Sequence, residues 1–306
     1  MGSEDKEGLR ACVQYDDPVV AELIKSSLSV FIPKVIQTPA SEAQLQWSSY
    51  ESLDFDRMLK SPQTTLSNSY IFRKALIRKH FLANTIQNWL SKHPQAILRS
   101  HTPKTYLLEC DYADYLDEAL NEAFELRTAL EASETNENWF ILKPSMTDRG
   151  QGIRLFSTRD QLEGIFDEFD EFDEDGDEEV DVVASQVRHF VVQEYIREPL
   201  LLDSGKKFHV RCYIVALGGI KVWVWSEMLA LFSSVLYEEP AFDDDLQKHL
   251  TNTCLQDDTN KEDTVKRFWD LQLPREQLQA IFKQICDVTG EIFLAAASGQ
   301  QLHFQV

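Results

Sequence analysis

Trp139-Phe-Ile-Leu-Lys143-Pro-Ser-Met-Thr-Asp-Arg149-Gly-Gln-Gly152-Ile-Arg-Leu-Phe156 runs from an apolar strand ending in a lysine, through a polar turn with two glycines, into a second apolar strand. Glycines let backbone N–H groups approach phosphate oxygens closely, and a lysine at the strand end adds a point charge for the same anion. No Gly-Lys-Ser/Thr follows, so this is not a P-loop. The glycines lead into a strand and not a helix, so it is not a dinucleotide fingerprint. The layout suits a nucleotide phosphate, although Arg-Gly-Gln-Gly alone also fits an ordinary hairpin on a lysine stem.

The second half of the chain carries the reading further. Val191 to Pro199 reads as a buried strand and a hinge. Lys206 to Val215 reads as a strand with a basic start and alternating charged and apolar residues. Together they make the second wall of an adenine cleft. These segments resemble the tubulin tyrosine ligase-like family of ATP-grasp proteins. Ile141 to Pro144 matches the family's Ile-Leu-Lys-Pro strand, Arg149 to Ile153 its Arg-Gly-x-Gly-Ile loop, and Gln193 to Ile196 its Gln-x-Tyr-Ile hinge. Lys207 to Arg211 matches Lys-Phe-Asp-x-Arg with His209 for the aspartate, and His249 to Asn252 matches His-Leu-Thr-Asn.

The resemblance covers the chain from about residue 65 onward and implies an α/β (α+β) ATP-grasp fold in three parts. These are an N-terminal pre-ATP-grasp subdomain over 1–100, a central ATP-grasp subdomain over 101–200, and an incomplete C-terminal one over 201–306. It also implies ATP as ligand. Lys143 and Lys207 would contact the phosphates, with Arg149, Gly150, Gly152 and Ile153 forming the loop that closes over them. Gln193, Glu194, Tyr195 and Ile196 would line the adenine. His209 would lie on the nucleotide strand, Thr251 and Asn252 near ribose and phosphates, and Arg211, the candidate catalytic residue, near the transferring phosphoryl group. Phosphoryl transfer needs little covalent help and much positioned positive charge, which suits this set.

Two departures from the family stand out. Leu231, in Trp225 to Phe232, falls where the family has the arginine that grips an amino-acid carboxylate, and an apolar side chain offers no bidentate grip. The Glu227-Met-Leu-Ala-Leu-Phe232 wording resembles the fungal, P-body-associated branch. The family also places its Mg²⁺ ligands in strands after the helix that here reads Leu278 to Ala297, so those ligands are expected beyond Val306 and none is assigned within the chain.

Across 306 residues the net charge is −21, and residues 167–181 hold no base. That run imitates the start of an EF-hand at Glu171, Asp173, Asp175 and Gly176, but Val182 stands where a bidentate glutamate is needed. It reads as a disordered acidic insertion over 167–184 and weakens any direct grip on nucleic acid. No apolar run is long enough for a membrane span, and the N-terminus lacks the signal-peptide pattern. Five scattered cysteines read as reduced thiols, which places the protein in the cytoplasm, with P-bodies suggested by the fungal resemblance.

Periodicity predicts strand, helix and strand over Val13 to Tyr15, Val19 to Ser27 and Phe31 to Ile36, with Asp17-Pro18 opening the helix. It predicts a loop over Gln46 to Leu66, helices over Tyr70 to Ser91, Tyr112 to Ala132 and Pro274 to about Ala297, and a short strand at Tyr106 to Glu109. The basic residues of the Tyr70 helix fit either a cleft face or a solvated one. A hairpin at Gly218-Gly219 reads as a core strand pair, with Trp223, Trp225 and Trp269 in the core. Two function classes follow. One is an ATP-dependent ligase, in the complete protein, acting on tubulin or another polypeptide through an acylphosphate, with residues 1–306 alone expected to be inactive; the other is a catalytically weak or inactive docking module that keeps the cleft.

Overall fold

The computed structural model describes residues 8–32, 34–136, 138–147, 150–174, 189–242, 245–251 and 264–299. Its contacts separate two units, one up to Lys74 and one over Ala75–Gly299.

In the first unit, β1 (Leu9–Gln14), α1 (Pro18–Phe31), β2 (Val35–Gln37), β3 (Leu45–Ser48), α2 (Phe55–Lys60) and β4 (Leu66–Ser67) build a parallel sheet in the order β2-β1-β3-β4. Asp17 caps α1 by accepting the N–H of Val19 at 2.8 Å, and Pro18 fills a position that needs no donor. The expected loop over Gln46 to Leu66 is instead structured. Its strand is hidden in the sequence because the buried positions are polar. Gln46 is 1% exposed and accepts the N–H of Asp54 at 2.8 Å, and buried Ser48 donates its N–H to Asn68 at 3.2 Å.

The second unit opens with α3 (Lys74–Ile77), in which the boundary falls, α4 (Lys79–Lys92), α5 (Leu98–His101), β5 (Thr105–Glu109), α6 (Leu116–Glu122) and α7 (Phe124–Asn136). The single helices expected over Tyr70 to Ser91 and Tyr112 to Ala132 are thus interrupted, at Arg78 and Ala123, whose backbones leave helical geometry. Next come β6 (Phe140–Pro144), β7 (Arg154–Phe156), α8 (Arg159–Glu174) and β8 (His189–Glu194). These strands form an antiparallel sheet in the order β5-β8-β6-β7.

The two-residue period of the strands sorts the faces of this sheet. Tyr106, Phe140, Leu142, Phe156, Phe190 and Val192 turn to one side and pack against Leu116, Leu120, Leu126, Leu162 and Phe166 of the helices. Truncating Phe190 there to alanine is expected to cost about 3–5 kcal/mol. Thr105, Ile141, Lys143, Val191 and Gln193 turn to the other side, in register across three strands. The acidic run, expected to be unstructured from Asp167, begins inside α8. Ile165, Phe166 and Phe169 keep a helical spacing and pack on the core, which holds that part of the run in helix. The rest of the insertion lies outside the described residues.

The remaining strands are β9 (Phe208–Arg211), β10 (Ile214–Leu217), β11 (Lys221–Val224), β12 (Leu229–Phe232) and β13 (Val265–Arg267), followed by the long helix α9 (Arg275–Gly299). A three-stranded sheet, β13-β12-β9, packs Phe208, Val210, Ala230 and Phe232 with Phe268 and Leu278. The hairpin β10-β11 forms as expected but does not join the core. It is a separate two-stranded sheet, and Trp223 and Trp225 are 51% and 62% exposed. Among the described residues no strand pairs with either of its edges, and Val215 and Leu217 on it are exposed, whereas Val222 and Val224 are half-buried. Trp269 does pack inward, against Phe268 and Phe282.

Candidate functional site

Lys143 ends β6 and points to the sheet face that the helices α6 to α8 leave open. Its Nζ donates to Gln193 Oε1 at 2.5 Å, and Gln193 donates to Thr105 Oγ1 at 2.9 Å. Lys207 stands just before β9. It donates to Tyr195 OH at 2.8 Å and sits 4.3 Å from the centroid of that ring, and Tyr195 OH is 2.9 Å from His249 Nδ1. Ile141, Ile153, Leu155, Tyr195 and Leu250 form an apolar cluster beside these groups.

This setting dehydrates both ammonium groups. Burial, reinforced by the charge of Lys79, pulls the pKa of Lys143 down to about 8, and burial with the charge of Lys143 brings Lys207 to about 8. Among the described residues no carboxylate lies within ion-pair distance of either lysine. Their hydrogen-bond acceptors are neutral.

On the neighbouring sheet, His209 Nδ1 and Thr251 Oγ1 are 2.6 Å apart. Burial lowers the His209 pKa, and the adjacent charge of Arg211 lowers it further. Arg211 is exposed on the same strand face. In register across β9 and β12, His209 pairs with Leu231 and Arg211 with Leu229, so Leu231, 9% exposed, lies directly beside His209.

The turn after Lys143 is held from α4. Lys79 Nζ donates to the carbonyls of Pro144 and Thr147, at 2.8 and 2.5 Å. The start of the basic helix, at Lys79 and His80, is therefore turned to this loop and is half-buried. Gly150 and Gly152 have φ of 86° and 68°, in the left-handed region that favours glycine. A Cβ on Gly152 would come 2.7 Å from Pro144 Cγ, so the proline of the lysine strand and the second glycine fit only as a pair.

The structure thus brings Lys143, Gln193, Tyr195, Lys207, His209, Thr251 and Ile153 into one region with Gly150 and Gly152 at its edge. Glu194 turns its carboxylate to the opposite sheet face, where it accepts Tyr106 OH at 3.2 Å, and the Ile196 side chain is 58% exposed. Arg149 and Asn252 lie outside the described residues. Sequence reasoning assigned no role to Lys79, Thr105 or His249. Lys79 was visible as one of several basic residues on a helix, and only the break at Arg78 singles it out. A cleft of about 930 Å³ opens along α4 and the β5-β8 edge, lined by Lys79, Lys143, Gln193 and Thr105 together with apolar Leu82 and Ile292. It meets the region above only at Lys143 and Gln193; Tyr195, Lys207, His209 and Thr251 do not line it.

Among the described residues no group of three or more His, Cys, Asp and Glu side chains is arranged to hold a metal ion. The magnesium expected with ATP has no ligand set among them. No described helix is long and apolar enough to cross a membrane.

The tubulin-tyrosine ligase family model matches residues 57–306. A Schizosaccharomyces pombe protein named "Probable tubulin--tyrosine ligase C12B10.04" is 44% identical over 322 residues, spanning 99% of this chain and 79% of that one. "Probable tubulin--tyrosine ligase PBY1" of Saccharomyces cerevisiae is 42% identical over 286 residues, 85% of this chain but only 38% of that protein. Among solved structures, the C-terminal domain of K. lactis Pby1, described as an ATP-grasp enzyme interacting with the mRNA decapping enzyme Dcp2, matches with a TM-score of 0.63 and 34% identity over 94% of this chain and 75% of that one. The fold is ATP-grasp, as the sequence motifs implied, and the chain belongs to the tubulin-tyrosine ligase family.

Proposed function

We propose that the chain binds ATP on the open face of the β5-β8-β6-β7 sheet and serves an ATP-dependent carboxylate–amine ligase acting on a protein substrate. The observation that carries this is the meeting of Lys143 and Lys207, two dehydrated ammonium groups on neutral acceptors, beside a glycine turn with left-handed backbone. Such charges destabilise a fold by several kcal/mol unless an anion arrives to match them. A triphosphate is that anion. Tyr195 and the hinge would bound the adenine, and Thr251 would face the ribose side.

The chemistry follows in two balanced steps. A carboxylate oxygen of the acceptor attacks the γ-phosphorus and the bond to the β,γ-bridging oxygen breaks, giving an acylphosphate and ADP. An amine then attacks the acyl carbon, inorganic phosphate leaves, and the amine's proton is released. Lys143, Lys207 and Arg211 would stabilise the charge gathered on phosphate oxygens. Leu231 offers no charge to an incoming free carboxylate, so a free α-amino acid is not the favoured amine.

A docking reading has its own support. His209 replaces an aspartate, Leu231 replaces an arginine, and the K. lactis domain is described as interacting with Dcp2. On that reading the chain would hold nucleotide and bind a protein partner in cytoplasmic mRNA-decay bodies. Hydroxylamine trapping separates the two. With ATP and detyrosinated tubulin as the probe acceptor, ligase chemistry gives ATP-dependent hydroxamate on the polypeptide. Nucleotide binding with neither hydroxamate nor ADP formed would favour docking.

A further inference from the structure

Ser145, directly after the Lys143-Pro144 pair, is 3% exposed. Its N–H goes to the carbonyl of His189 at 2.8 Å. Its Oγ accepts the backbone N–H of His80 at 3.1 Å and is also in hydrogen-bond contact with His80 Nδ1. A hydroxyl has one proton to give. With a lone pair already taken by the His80 amide, donation from Oγ to Nδ1 satisfies both groups, and that arrangement needs a neutral imidazole with its proton on Nε2.

An imidazolium at this place would bring its own N–H to the contact and leave the Ser145 proton facing a second donor. It would also stand beside Arg78 and Lys79 on its own helix. From β8, the His189 ring stacks on it at 5.0 Å; from β5, Glu109, 3.7 Å from His189 Nδ1, is the opposing charge. Burial first, then His189 and Arg78, hold the His80 pKa below the ordinary histidine value against the pull of Glu109.

We propose that His80 is a positioning residue of the nucleotide cleft: in its neutral form it fastens Ser145 to the first turn of α4, keeping Lys79 on the Pro144 and Thr147 carbonyls and the turn into the glycine loop in place. Its structural half stands on these contacts; its functional half rests on the ATP reading above.

The test has two arms on the full chain. In an NMR titration of the histidine rings, Ser145→Ala should raise the His80 pKa toward the ordinary value. In the second arm, affinity for a fluorescent ATP analogue is compared between wild type and His80→Gln, whose amide oxygen accepts from Ser145 but does not titrate; taking the ratio cancels the ligand's own protonation. The ratio should be within about threefold of one at pH 7.5 and shift in favour of His80→Gln as pH falls through the lowered His80 pKa, by less than about tenfold at pH 5.5. A His80 titration unchanged by Ser145→Ala, or a ratio flat with pH, would overturn the proposal. Absence of analogue binding by wild type at pH 7.5 would sink the ATP reading and leave the first arm to decide the fastening.

Discussion

Lys143, at the end of β6, and Lys207, at the entry to β9, arrive from two different sheets yet lie near enough that the charge of Lys143 lowers the pKa of Lys207. Each rests on a neutral partner, Gln193 Oε1 and Tyr195 OH. Two like charges held together in a dehydrated place store unfavourable energy, and a phosphate chain between them would release it.

Nucleotide binding should therefore take up protons. Both lysines have pKa values near 8 and should rise when phosphates arrive. At pH 8 each is about half protonated in the chain without nucleotide, so binding takes up as much as about one proton in all, and almost none at pH 6.5. Affinity should fall as pH rises above 8. Calorimetry in two buffers of different ionisation enthalpy reads the uptake directly; equal heats in both at pH 8 would contradict the two values.

The same shifts act on stability. The folded pKa values, about 8, lie below the ordinary lysine value of 10.5, so the unfolded chain binds more protons between them and stability rises with pH through that window. It is lost again as pH falls through about 8. Lys143→Met removes the buried charge and should stabilise the chain without nucleotide by about 1–2 kcal/mol at pH 7 while weakening ATP binding. Denaturant unfolding checks the sign; a destabilised variant would mean the lysine is better solvated than its surroundings indicate.

Gly152→Ala should injure the loop on two counts. It places a Cβ residue at φ 68° and drives that Cβ to 2.7 Å from Pro144 Cγ. An expected loss of about 1–2 kcal/mol in stability should accompany weaker ATP binding, read by thermal unfolding and calorimetry on one preparation. Gly164→Ala in α8, with open space around its Cβ, is the contrasting control and should gain about 0.5–1 kcal/mol in stability without changing ATP binding.

Much of the site was legible because its parts are local. The lysine strand, the glycine turn, the hinge and the Lys207 strand are each contiguous, and their order in the chain carries the fold. What escaped is set by tertiary contact. Lys79 looked like its basic neighbours until the break at Arg78 turned it toward Pro144 and Thr147. Strand β3 was hidden by buried Gln46 and Ser48, whose hydrogen bonds replace the apolar alternation a strand usually shows. The hairpin tryptophans read as core since composition cannot tell a strand with partners from one whose edges meet no strand among the described residues.

Free tyrosine should be a poor substrate. Leu231 lies beside His209 in a buried register position, and a carboxylate placed there would lose water without gaining a cation, a loss of several kcal/mol. Incorporation of labelled tyrosine into detyrosinated tubulin should stay at background, and robust ATP-dependent labelling would refute the assignment of Leu231.

The most direct measurement of the central claim is titration calorimetry of ATP into wild type, Lys143→Ala and Lys207→Ala at pH 7. The account predicts binding by wild type and a loss of about 1.5–3 kcal/mol in each variant, the range for a charge-assisted hydrogen bond to phosphate. Affinity unchanged in both variants would contradict it.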